Sequence, residues 1–118
     1  MEINLIIKQL REHPESSKMG MIASHLGVVR ETSRDGRQVE KIHVKYDQKV
    51  IEEIIKDAKA LPGIIDVVIE TREGVLEIGD EIMFVAVGGD IREHVFPALI
   101  EIVERIKKEA SKKQENFI

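Results

Sequence analysis

The apolar residues of this chain switch between helical and strand spacing, and the switches divide it into elements. Leu5, Ile6 and Leu10 recur at helical spacing, which predicts a short helix from Asn4 to Glu12, closed by His13-Pro14 and followed by a Glu15-Ser16-Ser17 linker. Met19 to Val29 is a largely apolar run with turn-rich flanks and reads as a buried strand that ends at Arg30. Val39 to Tyr46 alternates with a period near two, and Asp35-Gly36 ahead of it has turn chemistry. The two strands are therefore expected to form a β-hairpin with a long, basic tip over Glu31 to Arg37.

Asp47 is placed to cap a helix from about Lys49 to Ala60, with a stripe of Val50, Ile51, Ile54, Ile55 and Ala58 and a stop at Leu61-Pro62-Gly63. Ile64 to Thr71 is rich in β-branched residues and reads as a strand, Gly74 and Gly79 punctuate a turn region, and Glu81 to Val87 reads as another strand. After Gly88-Gly89, Asp90 is expected to cap a last helix to about Lys112, with Val95, Phe96, Leu99, Ile102, Val103 and Ile106 on its inner face. Pro97 removes one backbone hydrogen bond there and predicts a kink unless regular helix begins close to it. The order helix, strand, strand, helix, strand, strand, helix, without internal repeat, predicts an α+β fold with a mixed or mainly antiparallel sheet.

Composition narrows this picture. A chain of 118 residues suits one domain, and with aromatics at 3% and no Trp its core must be aliphatic. No segment approaches the roughly 20 apolar residues of a bilayer span, and the Met-Glu-Ile-Asn-Leu start lacks signal-peptide order, so a cytoplasmic protein is expected. Without cysteine there is no disulfide, thiolate metal site or cysteine nucleophile, and any sulfur chemistry would need a sulfur from elsewhere. A formal net charge of −4 gives no general attraction to nucleic acid or anionic lipid, which leaves anion recognition to local basic clusters. No zinc, P-loop or dinucleotide motif is present, Gly88-Gly89 being too short for a phosphate loop. His25 and His43 lack ligand neighbours at metal spacing and read as core or surface histidines.

Three stretches in register resemble one family. Gly20 to Arg30 looks like a family strand ending in Gly-x-Val-Arg; Gly74 to Val87 resembles its Gly-x-Leu-x-x-Gly-(Asp/Glu) turn and strand; Arg92 through Phe96 to Lys107 is similar to its long C-terminal helix. The resemblance covers about Met19 to Gln114, leaving residues 1–18 outside it, and the family is that of the molybdopterin synthase catalytic (large) subunit. It implies an α/β hammerhead fold over a single domain, residues 1–118, and pairing into a homodimer. It also implies a small ubiquitin-like sulfur-carrier partner ending in Gly-Gly, whose thiocarboxylate sulfur is transferred to cyclic pyranopterin monophosphate in molybdenum cofactor biosynthesis. No resident metal or cofactor of its own is implied.

Both ligands of such a reaction are anions, which favours arginine forks and lysine amines at the site. The resemblance points to Arg30 and Arg92 as substrate-binding residues and to Lys107 as the first active-site lysine. The second family lysine falls at Gln114, next to Lys113, the chosen substitute, and Lys112, the alternative. Arg34 and Arg37 extend the basic rim of the tip. The family's histidine ahead of Arg92 is Ile91 here, and His94 lies beyond Arg92 on a different helical face. Read without the resemblance, Arg30 is a surface residue beside Glu31 and Asp35, and the last lysines are a solvated helix end. The departures at Ile91 and Gln114 leave a second expectation beside the enzyme, a non-catalytic relative that binds a ubiquitin-like partner or pterin ligand.

Overall fold

The computed structural model describes residues 1–118. Its elements are α1 (Ile3–Arg11), β1 (Met21–Val28), β2 (Val39–Tyr46), α2 (Gln48–Lys59), β3 (Ile64–Thr71), β4 (Gly74–Glu77), β5 (Glu81–Gly89), α3 (Arg92–Arg105) and β6 (Ser111–Phe117). A π-helical turn, Ile106–Ala110, joins α3 to β6. The strands form two three-stranded sheets, β1-β5-β3 and β4-β2-β6, with every pairing antiparallel. No helix is long and apolar enough to cross a membrane.

β5 is the centre of the first sheet because both of its faces are apolar. Met83, Val85 and Val87 join the main core with Val95, Ala98 and Ile102 of α3, while Phe84 and Ala86 pack on the other face against Ile6 and Leu10 of α1. Gly89 lets α3 begin close to this sheet, since a Cβ there would stand 2.6 Å from Val95 Cγ2 and 2.7 Å from the Gly63 carbonyl oxygen. α2 starts as expected, with Asp47 Oδ1 accepting from the Lys49 N–H at 3.0 Å. The Asp47 N–H in turn donates to the Ala110 carbonyl at 2.8 Å, fastening the start of α2 to the π-turn.

The expected hairpin between the first two strands does not form. β1, apolar along most of its length, pairs with β5, whereas β2 is apolar on one face only and lies between β4 and β6 in the other sheet. The Asp35-Gly36 turn exists, with Gly36 at φ +86 and the Ser33 N–H donating to the Arg37 carbonyl, but it closes only a Thr32–Gln38 bridge. Between Gly74 and Gly79, read as turn, Gly74–Glu77 forms the short edge strand β4.

The last helix also ends earlier than expected. Regular α-helix stops at Arg105, the Ser111 N–H bonds the Ile106 carbonyl across the π-turn, and residues from Ser111 pair with β2. Lys, Gln and Glu are good helix formers, but propensity is a weak prior and strand pairing overrides it. Asp90 sits one residue before the N-cap, Ile91, and accepts from the Ile91 N–H and the His94 ring. The inner face of α3 is Val95, Ala98, Ile102 and then Ile106, with Leu99 and Val103 at its margin and Phe96 half exposed. α3 runs through Pro97, which lies on its exposed side.

Candidate functional site

A cleft of about 1080 Å³ opens between the two sheets. Buried Ile42, Val44 and Tyr46 of β2 and Met83 of β5 form its floor, and Ile106 closes one end. Arg30, Arg34, Lys107, Lys112 and Lys113 stand around it with exposed side chains. None of these five cations takes part in an ion pair, and Glu115 is the one carboxylate among the lining residues. A chain of net charge −4 thus concentrates free positive charge around an apolar floor.

Each of these groups is positioned by backbone structure. The register of β1 against β5 slips between Gly27 and Val28, a bulge that redirects the strand end. The Gly79-Asp80 turn then clamps Val29: the Gly79 N–H donates to its carbonyl at 2.7 Å, and its own N–H donates to the Asp80 carbonyl at 2.9 Å. Asp80 is held by its carboxylate, which accepts from the Glu77 N–H at 2.9 Å. With Val29 buried and fixed on both sides, the next residue, Arg30, is fixed at the cleft margin.

Lys107 is anchored by its neighbour Ile106, which is fully buried, and by Ser111 Oγ, which donates to the Lys107 carbonyl at 3.2 Å. Arg105 braces the same turn by forking onto Glu109 at 2.8 and 3.0 Å and reaching Asp57 of α2 at 2.9 Å. In β6, Lys113 is in register with Val44, whereas Lys112 faces Lys45 and Gln114 faces His43. Paired residues share a sheet face, so Lys113 lies on the side of Ile42, Val44 and Tyr46; Lys112 reaches the cleft from its rim and Gln114 does not line it.

Two residues to which the sequence assigns no site role, Tyr46 and His25, also line the cleft. Tyr46 has its phenol pushed up to about 12, by burial first and by the Glu73 carboxylate second, and stays neutral at neutral pH. His25 occupies the inward alternation of β1 with Ala23 and Gly27, and its pKa is lowered by burial and then by the charge of Lys107. The period of β1 was the available signal for His25, because the residues two before and two after it are small and inward-facing.

The other expected site residues lie elsewhere. Arg92 is at the first turn of α3, strongly exposed beside Glu93, and roughly 22 Å along the helix from Lys107 at a rise of about 1.5 Å per residue. One straight helix cannot deliver both ends to one recess, and Arg92 does not line the cleft of its own chain. Arg37 stacks its guanidinium 3.6 Å from the Phe117 ring centroid, and His94 Nδ1 lies 2.8 Å from Asp90 Oδ1 at the start of α3, both outside the cleft. No group of His, Asp or Glu side chains is arranged to hold a metal ion.

The model of the family described as MoaE protein matches residues 2–109. The chain belongs to the MoaE protein family. The matched span takes in α1 and stops before β6. This MoaE-family chain is 38% identical over 97 residues to the molybdopterin synthase catalytic subunit of Pyrococcus abyssi, a match covering 79% of this chain and 65% of that protein, just under two thirds of its length. It is 34% identical over 95 residues to an uncharacterised protein of Methanocaldococcus jannaschii, covering 77% of this chain and 80% of that one. The crystal structure of molybdopterin synthase from Staphylococcus aureus matches with a TM-score of 0.77 at 26% identity, over 94% of this chain and 84% of that one. A complex of subunits 1 and 2 of molybdopterin-converting factor from Helicobacter pylori shares the fold, with a TM-score of 0.73 at 16% identity over 99% of this chain and 80% of that one. The α+β architecture with antiparallel sheets is that of the MoaE structures.

Proposed function

We propose that this protein is the catalytic subunit of a molybdopterin synthase, transferring sulfur from a thiocarboxylated small ubiquitin-like subunit to cyclic pyranopterin monophosphate. The observation that carries the reading is the cleft of unpaired cations, Arg30, Arg34, Lys107, Lys112 and Lys113, in a MoaE-family chain of net negative charge. The ligands are a phosphate and a thiocarboxylate, and bringing two anions together requires neutralising both. Arg30 offers a planar fork to the phosphate from a backbone clamped at Val29. Lys107, on the π-turn, serves as the cation at the carboxyl carbon of the partner's terminus, with Lys113 in the place of the second family lysine. The neutral Tyr46 phenol supplies a hydrogen bond from the floor without adding charge. The sulfur comes on the partner, which suits a chain without cysteine.

Arg92 joins this chemistry only if a second copy of the chain presents the start of its α3 to the cleft, so the reading carries a homodimer with it. Ile91 favours a second reading, a non-catalytic MoaE-family protein that binds the small subunit or the pterin without turnover. The test is molybdopterin formation by the purified protein with the thiocarboxylated small subunit and the cyclic pterin. The expected result is product, reduced roughly 100-fold or more in Lys107→Ala. Saturable binding of both ligands with no product would replace the first reading by the second.

A further inference from the structure

His25 is the one imidazole in the cleft, and its surroundings are asymmetric in charge. The π-turn brings the charge of Lys107 to bear on it, and the same cleft is lined by Arg30 and Arg34 from the loop after β1 and by Lys112 and Lys113 from β6. Against these stand Glu115 of β6 and the Tyr46 phenol of β2, while β5 contributes only apolar Ile82 and Met83. His25 has no hydrogen-bond partner within the protein, in contrast to His13 and His94, whose ring nitrogens are engaged by the Glu15 N–H and by Asp90. Its ring is therefore free to bond a ligand. Its Nε2 lies 3.7 Å from where a Cβ on Gly27 would be, which places the ring along the inward face of its own strand.

From this geometry we infer that His25 is an anion-linked proton site: neutral in the empty cleft, it becomes an imidazolium when an anion seats among Arg30, Lys107 and Lys113. The inference rests on the cleft being an anion site, as the proposed function holds, but not on sulfur transfer. The physics is linkage. Partial burial first, and the charge of Lys107 second, disfavour a further positive charge on His25, the direction in which its pKa is already moved. An anion bound within about 4–6 Å reverses the sign of the local field and raises the imidazole pKa by about 1–3 units. The imidazole lone pair takes one proton from solvent, and the new N–H is available to donate to the anion. Histidine is the one side-chain type here whose ordinary titration range makes this possible at neutral pH, since arginine and lysine are already charged. Reciprocity then requires that anions bind more tightly as pH falls through the window between the free and bound pKa values.

Sulfate is a suitable probe because its charge is constant from about pH 5 to 8, where histidine titrates. The imidazole titrations of the four histidines would be followed by NMR in the wild-type protein, in sulfate and in chloride at equal ionic strength. His25 is expected to move its midpoint up by about one unit or more in sulfate, with His13, His43 and His94 nearly unchanged. Sulfate affinity should rise about 10-fold for each unit of that shift on going from pH 8 to 5, whereas His25→Gln should bind with a flat pH profile and take up no proton. In Lys107→Met without sulfate, the His25 midpoint should rise. An unmoved His25 midpoint in saturating sulfate, a pH dependence retained in His25→Gln, or no sulfate binding at all would each overturn the inference. Sulfate-linked protonation together with an inability to form molybdopterin would overturn the proposed function and leave this inference standing.

Discussion

The two sheets use the same aliphatic residue types in opposite ways. In β1-β5-β3 the central strand is sealed on both faces, by α3 on one and α1 on the other, and Met83 to Val87 contains no polar residue. In β4-β2-β6 the central strand is apolar on one face only, and part of that face, Ile42, Val44 and Tyr46, lies beneath a cleft rimmed by cations. The first sheet contributes stability through complete burial. The second leaves a low-polarity floor at which charge acts over short range with little screening. Both sheets build the one main core, and the cleft opens where the second sheet faces β1 and β5, so stability and anion recognition occupy different sides of the same strands and substitutions should separate them.

The largest effect is expected in the sealed sheet. Phe84 is 2% exposed and fills the layer between β5 and α1 with Leu10, which is fully buried. Phe84→Ala should cost about 3–5 kcal/mol, read as a lower denaturant midpoint at unchanged m value. Val75→Ala on β4, where the side chain is 54% exposed, should stay within about 0.5 kcal/mol. Comparable losses at the two positions would erase the distinction between the sealed layer around β5 and the open edge of the second sheet.

This division also explains what was legible in the sequence. α1, α2, β3 and β5 are recognisable from local pattern because each buries its own apolar residues, and Asp47 marks the start of α2 by chemistry it performs locally. The second sheet is held by long-range pairing: β2 shows its alternation and is recognisable as a strand, but its partners β4 and β6 have little apolar contrast. In β6 the inward Ser111, Lys113 and Glu115 are as polar as the outward Lys112 and Gln114, so period two is invisible there and helix composition misleads. β4 is short and lies between glycines, and the β1–β2 hairpin was expected from sequence adjacency that the β1–β5 pairing overrides. At the site, Arg30 and Lys107 were reached through family resemblance and share the cleft, whereas Arg92 is separated from it by the length of a helix. His25 reads from sequence as a core or surface histidine because its place in the cleft depends on the π-turn and β6, neither of which its own neighbours in sequence predict.

Tyr46 sharpens the comparison from the cleft side. It is the chain's one tyrosine, so tyrosinate absorbance reports it alone, and its pKa is raised from 10.0 to about 12 by burial and then by Glu73. A raised acid pKa means that the folded state favours the protonated phenol. Stability from this group is complete below pH 10 and is lost as pH rises toward 12, because the unfolded chain ionises first. Relative to Tyr46→Phe, the wild type should lose about 2–3 kcal/mol across that interval, with an absorbance midpoint near the upper end of it while folded. A tyrosinate midpoint at the ordinary value would mean that the floor is wet and that the second sheet has no low-polarity surface to offer.

The smallest effect belongs at the margin of the open sheet. Arg37 stacks 3.6 Å above the Phe117 ring, and the Ile118 N–H donates to the Gln38 carbonyl at 3.1 Å, so the loop after β1 and the end of β6 hold each other. An exposed cation over a phenyl ring contributes about 0.5–1 kcal/mol, and Arg37→Ala should lower global stability by no more than that. Its signature should be local: faster amide exchange at Asn116 to Ile118 and at Gln38, with Phe84 and Val85 unaffected, because opening one edge of the second sheet leaves the sealed sheet intact. Arg37 lies outside the cleft, so sulfate affinity should fall only by the modest amount that removing one peripheral charge produces, and less than in Arg30→Ala. If Arg37→Ala instead abolished sulfate binding while Arg30→Ala preserved it, the anion would sit against the Phe117 edge, and the boundary between the structural margin and the cleft would have to be redrawn there.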